Sequence, residues 1–150
     1  MSKVLVTGGA GFIGSHISNK LVDLGYDVIV IDNLFTGSTA NLTKKIKLYE
    51  MDITERRIYE VFETERPVIH EAAQTDIGRS MRDPAFDAKT NVLGTLNVLE
   101  CCRMAEVRKI IHASTAAVYG HPEYLGIDEE HRVRPISFYG ISKSISEEYV

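Results

Sequence analysis

One stretch near the N-terminus limits the possible folds of this chain more than any other. The glycine-rich residues 7–14, TGGAGFIG, follow the apolar run Val4–Val6 and precede a helix-like segment that reaches about Leu24. A strand, a glycine turn and a helix are typical of a phosphate-binding unit, because glycine permits a tight turn and a close approach to a pyrophosphate. The helix N-terminus adds unpaired N–H groups that favour the anion. Two glycine registers fit, and the sequence leaves both open: Gly8 or Gly9, followed by Gly11 and Gly14.

A second apolar run, residues 28–31, ends in Asp32, 18 residues beyond Gly14. In a dinucleotide-binding unit, a carboxylate at this place accepts hydrogen bonds from the adenosine ribose and repels the 2′-phosphate of NADP. No Lys or Arg lies between Lys20 and Lys44 to neutralise such a phosphate. The sequence therefore predicts NAD as the cofactor.

Composition excludes several other classes of protein. The chain has 150 residues, of which 44% are hydrophobic and 25% are charged, as in a soluble globular domain. The net charge of −4 argues against a nucleic-acid partner. No apolar run is long enough for a membrane span or a signal peptide, so we expect a cytoplasmic protein without a membrane partner. Cys101 and Cys102 are adjacent and predicted to be reduced, and the absence of metal-ligand spacing predicts no metal site.

Alternating strands and helices predict an α/β fold, a Rossmann-like doubly wound parallel sheet. The predicted strands are Lys3–Val6, Asp27–Ile31, Lys47–Met51, Val68–Glu71 and Val107–Ala113. The predicted helices are Gly11–Leu24, Thr54–Glu65, Pro84–Ala105 and Ser137 to the end, with a loop over residues 35–43. No linker divides the chain, so residues 1–150 are interpreted as one NAD-binding domain.

Residues after the strands are expected to meet the cofactor, because ligands of open parallel sheets bind beyond the carboxyl ends of the strands. Asp52 and Ile53 follow the third strand and could contact the adenine ring. The small residues of segment 71–74 would let a cofactor lie against the backbone, and segment 114–120 follows the fifth strand. Each segment alone is also compatible with an ordinary polar strand end.

Tyr139 and Lys143 carry the sharpest catalytic signal, because residues four apart share one face of a helix. A phenol is a poor base at its ordinary pKa of about 10, but a neighbouring ammonium favours the phenolate. An oxidised nicotinamide would act in the same direction. Thr115, with Ser114 beside it, could supply a hydroxyl that binds the reacting oxygen as its charge changes.

These motifs together resemble the extended short-chain dehydrogenase/reductases, specifically the NAD-dependent sugar epimerase/dehydratase family. The resemblance runs from Lys3 to Val150. It rests on VTGGAGFIGSH at 6–16, DNL at 32–34, HEAAQ at 70–74, NVLGT at 91–95, AVYG at 117–120, and Tyr139 with Lys143.

The resemblance implies a catalytic cycle on a nucleotide sugar, with a UDP-sugar as the expected substrate. Tyr139 would act as base on the sugar 4-hydroxyl, Lys143 would hold the nicotinamide ribose, and Thr115 would help to bind the 4-oxygen. Hydride would pass to the nicotinamide and return to the other face of the 4-keto sugar, which is a 4-epimerase reaction.

The resemblance also implies cofactor contacts and an assembly. The expected cofactor-binding residues are Gly8, Gly11, Phe12, Ile13, Gly14, Asp32, Asn33, Asp52, Ile53, Ala72, Ala73, Gln74, Asn91, Tyr139 and Lys143. A homodimer is expected through the helices that begin at Pro84 and Ser137, which pair across a two-fold axis in the family. Phe86, Leu93, Leu96, Ile141 and Ile145 would provide the apolar surface.

Two neighbouring alanines favour an epimerase over other members of the family. Dehydratases carry acidic residues where this chain has Ala116 and Ala117, and elimination of water needs an acid and a base. The alternatives are a dehydratase or decarboxylase of the same family, or a non-catalytic NAD-binding fragment. The last would be expected to lack Tyr139 or Lys143.

The sequence departs from the family pattern at three places. The segment before Val68 is one or two residues short, which predicts a short fourth strand or a tight turn, and Glu71 replaces a residue that is usually uncharged. Residues 147–150 lack a helix stop signal. We therefore expect an N-terminal portion of a longer enzyme, with the sheet incomplete at its C-terminal edge and the substrate domain absent. The rival interpretation is a compact enzyme that completes its pocket by dimerisation.

Overall fold

A parallel sheet of five strands forms the centre of the computed structural model, which describes residues 3–64 and 66–150. The strand order is β3-β2-β1-β4-β5, and every neighbouring pair is parallel. The strands are β1 Lys3–Thr7, β2 Asp27–Asp32, β3 Lys47–Glu50, β4 Val68–His70 and β5 Ile110–His112. The predicted doubly wound α/β fold is confirmed, and β4 is short, as the missing residues before Val68 predict.

Five α-helices surround the sheet in the described part of the chain. They are α1 Phe12–Asp23, α2 Ile77–Arg82, α3 Pro84–Ala88, α4 Gly94–Met104 and α5 Phe138–Tyr149. Short 3-10 turns cover Thr39–Asn41, Arg56–Val61 and Ala116–Val118, and a π-helical turn covers Lys89–Leu93. No helix within residues 3–64 and 66–150 is long and apolar enough to cross a bilayer.

Burial along β2 shows why the sheet is parallel and covered on both faces. Residues 28–31 are all buried, although successive side chains of a strand point to opposite faces. On one face Ile29 and Ile31 pack with Leu5 and with Val98 of α4. On the other face the even-numbered valines pack against the Leu21 side of α1. The helices on the two faces therefore place the carboxyl ends of the strands at one open edge.

The helix expected over Thr54–Glu65 is wrong in kind and in length. The structure has a 3-10 turn over Arg56–Val61, and Phe62 is already extended with φ −81° and ψ 134°. The backbone N–H and the hydroxyl of Thr54 bind Asp52 Oδ1, which delays the turn. The chain then has few residues left to reach β4. Glu65, the predicted last residue, lies outside the described residues.

The helix expected over Pro84–Ala105 consists of α3, a π-helical turn and α4. The helix α2 before it was not predicted. The helical path is continuous through the π-helical turn, because Lys89 and Gly94 keep right-handed helical angles. Asp83 accepts a hydrogen bond from the Phe86 N–H and caps α3, as the Asp-Pro sequence predicts.

The fifth strand begins three residues later than the sequence predicts. Glu106 has φ +54°, and the Val107 N–H closes on the Cys102 carbonyl at 2.8 Å. This closure ends α4 in a turn at residues 105–106, and residues 107–109 lead to the strand without regular structure. Strand pairing with β4 consequently starts where Val68 N–H binds the Lys109 carbonyl at 3.0 Å.

Candidate dinucleotide-binding and catalytic site

A cavity of about 550 Å³ opens at the carboxyl ends of the strands. The segments that follow all five strands line it, together with the first residues of α1 and one face of α5. The sequence-predicted site residues that line it are Gly8, Gly11, Phe12, Ile13, Gly14, Asp32, Asn33, Asp52, Ile53, Ala72, Ala73, Gln74, Thr115, Tyr139 and Lys143. Residues from the two ends of the sequence therefore meet in a single cavity.

The glycine turn is shaped by contacts that leave no room for side chains. Gly8 has φ +69°, and a Cβ there would lie 2.5 Å from the Ala72 nitrogen. A Cβ on Gly14 would lie 2.2 Å from the Gly8 carbonyl oxygen. Both contacts are with backbone atoms that cannot rotate away, so only glycine keeps α1 this close to β1 and β4.

The structure chooses between the two glycine registers. Gly8, Gly11 and Gly14 line the cavity, whereas Gly9 faces the sheet, where a Cβ would lie 2.5 Å from Val30 Cγ2. Gly11 caps α1 without a side-chain hydrogen bond, which leaves N–H groups of the first helical turn open to the cavity. These groups suit an anion such as a pyrophosphate.

Asp32 stands at the end of β2 with only 6% of its surface exposed. Its Oδ2 accepts a hydrogen bond from the Ala10 N–H at 2.9 Å, and its Oδ1 accepts one from the Leu34 N–H at 2.8 Å. The two bonds fix the carboxylate at the wall of the cavity and leave acceptor capacity on both oxygens. An arrangement of this kind suits the vicinal hydroxyls of a ribose.

Asn33 and Asp52 join the ends of β2 and β3 beneath the same part of the cavity. Asn33 Nδ2 donates to Asp52 Oδ2 at 2.8 Å. Burial works to raise the pKa of Asp52, but hydrogen bonds from Thr54 and Asn33 outweigh it and hold this pKa below its ordinary value. The carboxylate is therefore ionised and oriented at neutral pH.

The sequence analysis did not predict an aromatic pair at the rim of the cavity, and it assigned Phe86 to the dimer surface instead. Phe35, after β2, and Phe86, on α3, both line the cavity with ring centroids 5.8 Å apart. The Arg79 guanidinium of α2 lies 4.6 Å from one ring centre and 4.7 Å from the other. No spacing rule links these residues, because they lie on three separate segments of the chain. One of these segments, α2, was itself not predicted.

Asn91 differs from its expected place, because it lies behind the cavity wall instead of lining it. It is 1% exposed and sits in the π-helical turn. Its Oδ1 accepts from the Gln74 N–H at 2.8 Å, and its Nδ2 donates to the Gln74 carbonyl and to Ser142 Oγ at 3.0 and 3.1 Å. Asn91 thus fixes the backbone after β4 against α5, and Gln74 meets the cavity in its place.

The helix α5 brings the catalytic candidates to the cavity. Ser137 caps it by accepting the Gly140 N–H at 3.1 Å, and a Cβ on Gly140 would lie 2.6 Å from the Ala117 carbonyl oxygen. This close packing presses α5 onto the 3-10 turn after β5. Tyr139 and Lys143, 9% and 4% exposed, both line the cavity.

Thr115 reaches the same cavity from the start of that 3-10 turn. Its Oγ1 accepts the Ala117 N–H at 3.2 Å. Since the hydroxyl is used there as an acceptor, its proton remains available to a ligand oxygen. This is the property expected of a residue that stabilises a developing negative charge.

The amine of Lys143 is surrounded by groups that the sequence analysis did not assign. Its Nζ lies 3.2 Å from His112 Nε2. Burial lowers the pKa of Lys143 to about 8, against the opposing charges of Glu71 and Glu147. Burial also lowers the pKa of His112 to about 4 and that of His70 to about 3, so both imidazoles are neutral at pH 7.

The residues present fit a dinucleotide. The cradle at Gly8 and Gly14 would be filled by any Cβ, an open helix N-terminus adjoins it, and the fixed carboxylate of Asp32 stands where a ribose would bind. Lys143 adds a buried cation to the same cavity. Among residues 3–64 and 66–150, no three His, Cys, Asp or Glu side chains are grouped as metal ligands.

Comparison with known proteins gives this geometry a family. Residues 5–150 match the family model described as GDP-mannose 4,6 dehydratase. A Methanocaldococcus jannaschii protein is 47% identical over an alignment of 150 positions, which covers 98% of this chain and 49% of that protein. The UDP-glucose 4-epimerase of Rhizobium meliloti is 39% identical over 98% of this chain and 45% of its own length.

Solved structures show the same fold and the same partial coverage. The Thermus thermophilus UDP-glucose 4-epimerase, crystallised with NAD, superposes with a TM-score of 0.92 at 42% identity, over 98% of this chain and 49% of that one. The Bifidobacterium longum enzyme, crystallised with NAD+ and UDP, gives 0.93 at 35% identity, over 99% and 48%. The chain thus spans about half the length of the relatives it matches.

Proposed function

Because this chain belongs to the NAD-dependent epimerase/dehydratase family, we propose that it is the NAD-binding, N-terminal portion of a nucleotide-sugar 4-epimerase of the UDP-glucose/UDP-galactose type. One observation carries the proposal. Tyr139 and Lys143 share a cavity with Gly14 and Asp32, so the acid–base pair stands in the same cavity as the dinucleotide cradle. The names of the aligned epimerases support the substrate class.

Each catalytic candidate has a role that follows from its surroundings. Tyr139 removes the proton of the sugar 4-hydroxyl, and Thr115 donates its free hydroxyl hydrogen to the same oxygen. Lys143 brings a buried cation to the same cavity and holds the nicotinamide ribose. NAD, when bound, supplies the hydride acceptor and donor for sugar C4.

Residues outside this chain are proposed to complete the substrate pocket. The relatives extend over about twice the aligned length. Among the described residues, β5 is the last strand on its side of the sheet, which fits a sheet that further strands would continue. We therefore assign cofactor binding to residues 1–150 and most sugar-nucleotide contacts to the remainder of a longer enzyme.

Epimerisation is preferred over dehydration even though the matching family model bears a dehydratase description. Ala116 and Ala117 carry no acid or base beside Thr115. Elimination of water across C5 and C6 needs both functions at once. A dehydratase or decarboxylase remains the second candidate, since the cofactor half is common to all three reactions.

A homodimer is part of the proposal. Leu93 of the π-helical turn is 58% exposed, and Ile141 and Ile145 on α5 are 40% and 41% exposed. These side chains give the two helical segments an apolar outer stripe that a second copy would cover. Light scattering at high protein concentration should give twice the monomer mass, and a strictly monomeric mass would contradict this part.

The buried free thiols of Cys101 and Cys102 suit a reducing compartment such as the cytoplasm.

A chimera tests the reaction. Residues 1–150 joined to the C-terminal half of the Thermus relative should convert UDP-glucose to UDP-galactose with NAD, followed by chromatography. Tyr139→Phe should lower the rate by at least about 100-fold, the scale of general-base catalysis. The exposed Tyr124→Phe is the matched control and should leave the rate unchanged. A folded, NAD-loaded chimera that forms no UDP-galactose would contradict the proposal, and a 4-keto-6-deoxy product would favour the dehydratase.

A further inference from the structure

Two histidines on adjacent strands stand beside the amine of Lys143 and have no role in the proposed reaction. His70 of β4 pairs in register with His112 of β5, and their ring centroids are 5.2 Å apart. His112 Nε2 lies 3.2 Å from Lys143 Nζ. The strand pairing places the two imidazoles side by side, and one of them also contacts a buried lysine.

His70 is a fixed support for this arrangement. It is 1% exposed, its Nδ1 lies 2.6 Å from Thr7 Oγ1, and its Nε2 lies 3.0 Å from Thr95 Oγ1. Because a hydroxyl can donate or accept, the two threonines satisfy both ring nitrogens of a neutral imidazole. The ring is held at both ends, and His112 packs against it without meeting a positive charge.

The contact between Lys143 and His112 has a definite direction. An ammonium has three donors and no acceptor, so His112 Nε2 must accept and the ring proton must sit on Nδ1. Within the described residues, His112 is the one hydrogen-bond partner of Nζ. A cation that is only 4% exposed depends strongly on such a partner.

We propose that His112 is a positioning residue for Lys143, accepting a hydrogen bond from its ammonium and holding the amine at the cavity wall. Glu71 and Glu147 add negative charge around the amine, and the neutral His70 adds none. His112 itself is absent from the cavity lining, so it acts through Lys143. The expected effect of His112 on NAD binding rests on the proposed function.

The pKa of Lys143 in the chain without NAD is the direct test. It would be measured by NMR of chain labelled with 15N at lysine Nζ, with the signal assigned through Lys143→Arg. His112→Phe keeps an aromatic ring but removes the acceptor, and should lower this pKa by about one unit. His112→Gln keeps a carbonyl acceptor and should stay closer to the unsubstituted value. The exposed His121→Phe is the matched control and should change nothing.

A second measurement on the unsubstituted chain guards against variants that fail to fold. A hydrogen-bonded, buried ammonium exchanges its protons slowly, so Lys143 should give an N–H correlation at pH 6 that exposed lysines lack. An unchanged pKa of Lys143 in folded His112→Phe, or the absence of that correlation, would overturn the proposal. If His112 had a purely structural role, the Lys143 pKa would shift equally in His112→Phe and His112→Gln. That result would also overturn the proposal.

NAD titration separates this inference from the proposed function. We expect NAD to bind His112→Phe about fivefold more weakly than the unsubstituted chain at pH 8, since lowering a pKa of about 8 by one unit reduces the charged fraction of Lys143 from about one half to about one tenth. Failure of the unsubstituted chain to bind NAD, with the Lys143 pKa still responding to His112→Phe, would contradict the function and support the positioning role. Normal NAD binding, with a Lys143 pKa that does not respond to His112→Phe, would support the function and contradict the positioning role.

Discussion

The carboxylate of Asp32 accepts a hydrogen bond of 2.9 Å from the backbone N–H of Ala10, across 22 residues of sequence. This bond ties the end of β2 to the glycine turn, and the Leu34 N–H holds the other carboxylate oxygen. The glycine turn and the acid proposed to bind the ribose are consequently one rigid unit. Under the proposed function, this unit would select NAD over NADP through contacts that exist before any ligand arrives.

Substitution of Gly14 by alanine should disrupt the cofactor cradle. The new Cβ would lie 2.2 Å from the Gly8 carbonyl oxygen, so the turn and α1 must separate. We expect NAD affinity to fall by at least about tenfold, or about 1.4 kcal/mol, in a calorimetric titration. Gly78→Ala on α2, where the nearest atom is the Asp76 carboxylate at 3.2 Å, is the control. Equal NAD binding by Gly14→Ala and Gly78→Ala would contradict the proposal that Gly14 forms part of the NAD-binding turn.

Acid should destabilise the chain because His70 is buried in its neutral form. Burial lowers the pKa of His70 to about 3, whereas the unfolded histidine titrates near 6.5. Above pH 6.5 neither state binds the proton, and as pH falls from 6.5 towards 3 the unfolded state alone binds it. The free energy of unfolding should therefore fall by up to about 1.4 kcal/mol per pH unit in this window.

Urea titrations of the unsubstituted chain and of His70→Asn between pH 7 and pH 5 would check the assignment. The amide cannot take up a proton, so the slope with pH should be smaller in His70→Asn. His112, with its pKa lowered to about 4, should account for part of the slope that remains. Identical slopes in the two proteins would show that His70 is not the responsible group.

Removal of the Asn91 side chain should loosen the wall of the cavity. Asn91→Ala leaves the Gln74 N–H and carbonyl without their partners, and breaks the link to Ser142 on α5. We expect a loss of about 1–3 kcal/mol in the free energy of unfolding, the usual cost of buried polar groups left unpaired. The exposed Glu100→Ala on α4 should change it by less than about 0.5 kcal/mol. A neutral Asn91→Ala would mean that α5 is held without this network.

The chain alone should turn over UDP-glucose far more slowly than a complete epimerase. The reaction depends on holding sugar C4 and its hydroxyl against Tyr139, and effective molarity falls when positioning contacts are missing. Binding energy from the distant nucleotide would normally supply that orientation. The assay is chromatography of UDP-galactose formed from UDP-glucose and NAD. Turnover near that of a complete epimerase, abolished by Tyr139→Phe, would favour the compact enzyme that dimerisation completes.

The parts of the fold and site that rest on local chemistry could be predicted from the sequence. The glycine turn, the apolar run of β2 and the cap at Asp83 are each encoded within a few residues, and the strands and the helix starts beside them were correctly predicted. Tyr139 and Lys143 are four apart, so helical geometry alone places them on one face. The parallel direction of the strands followed from the alternation of strands and helices.

Features that depend on tertiary pairing could not be predicted. His70 and His112 are separated by 42 residues and meet only because β4 and β5 pair in register. Asn91 matches a family motif, but its side chain turns inwards at a π-helical turn that no propensity scale signals. The 3-10 turn over Arg56–Val61 replaced a helix because the short connection to β4 overrode local helix preference.

Titration of the chain with NAD and with NADP would show whether Asp32 selects the cofactor. We expect NAD to bind more tightly, because the fixed carboxylate of Asp32 accepts ribose hydroxyls and repels a 2′-phosphate. Asp32→Ala should weaken NAD binding by about 10- to 100-fold, the range for hydrogen bonds to a charged group, and should narrow the difference between the cofactors. The exposed Asp23→Ala, at the end of α1, is the matched control and should leave both affinities unchanged. Equal or tighter binding of NADP by the unsubstituted chain would contradict the account.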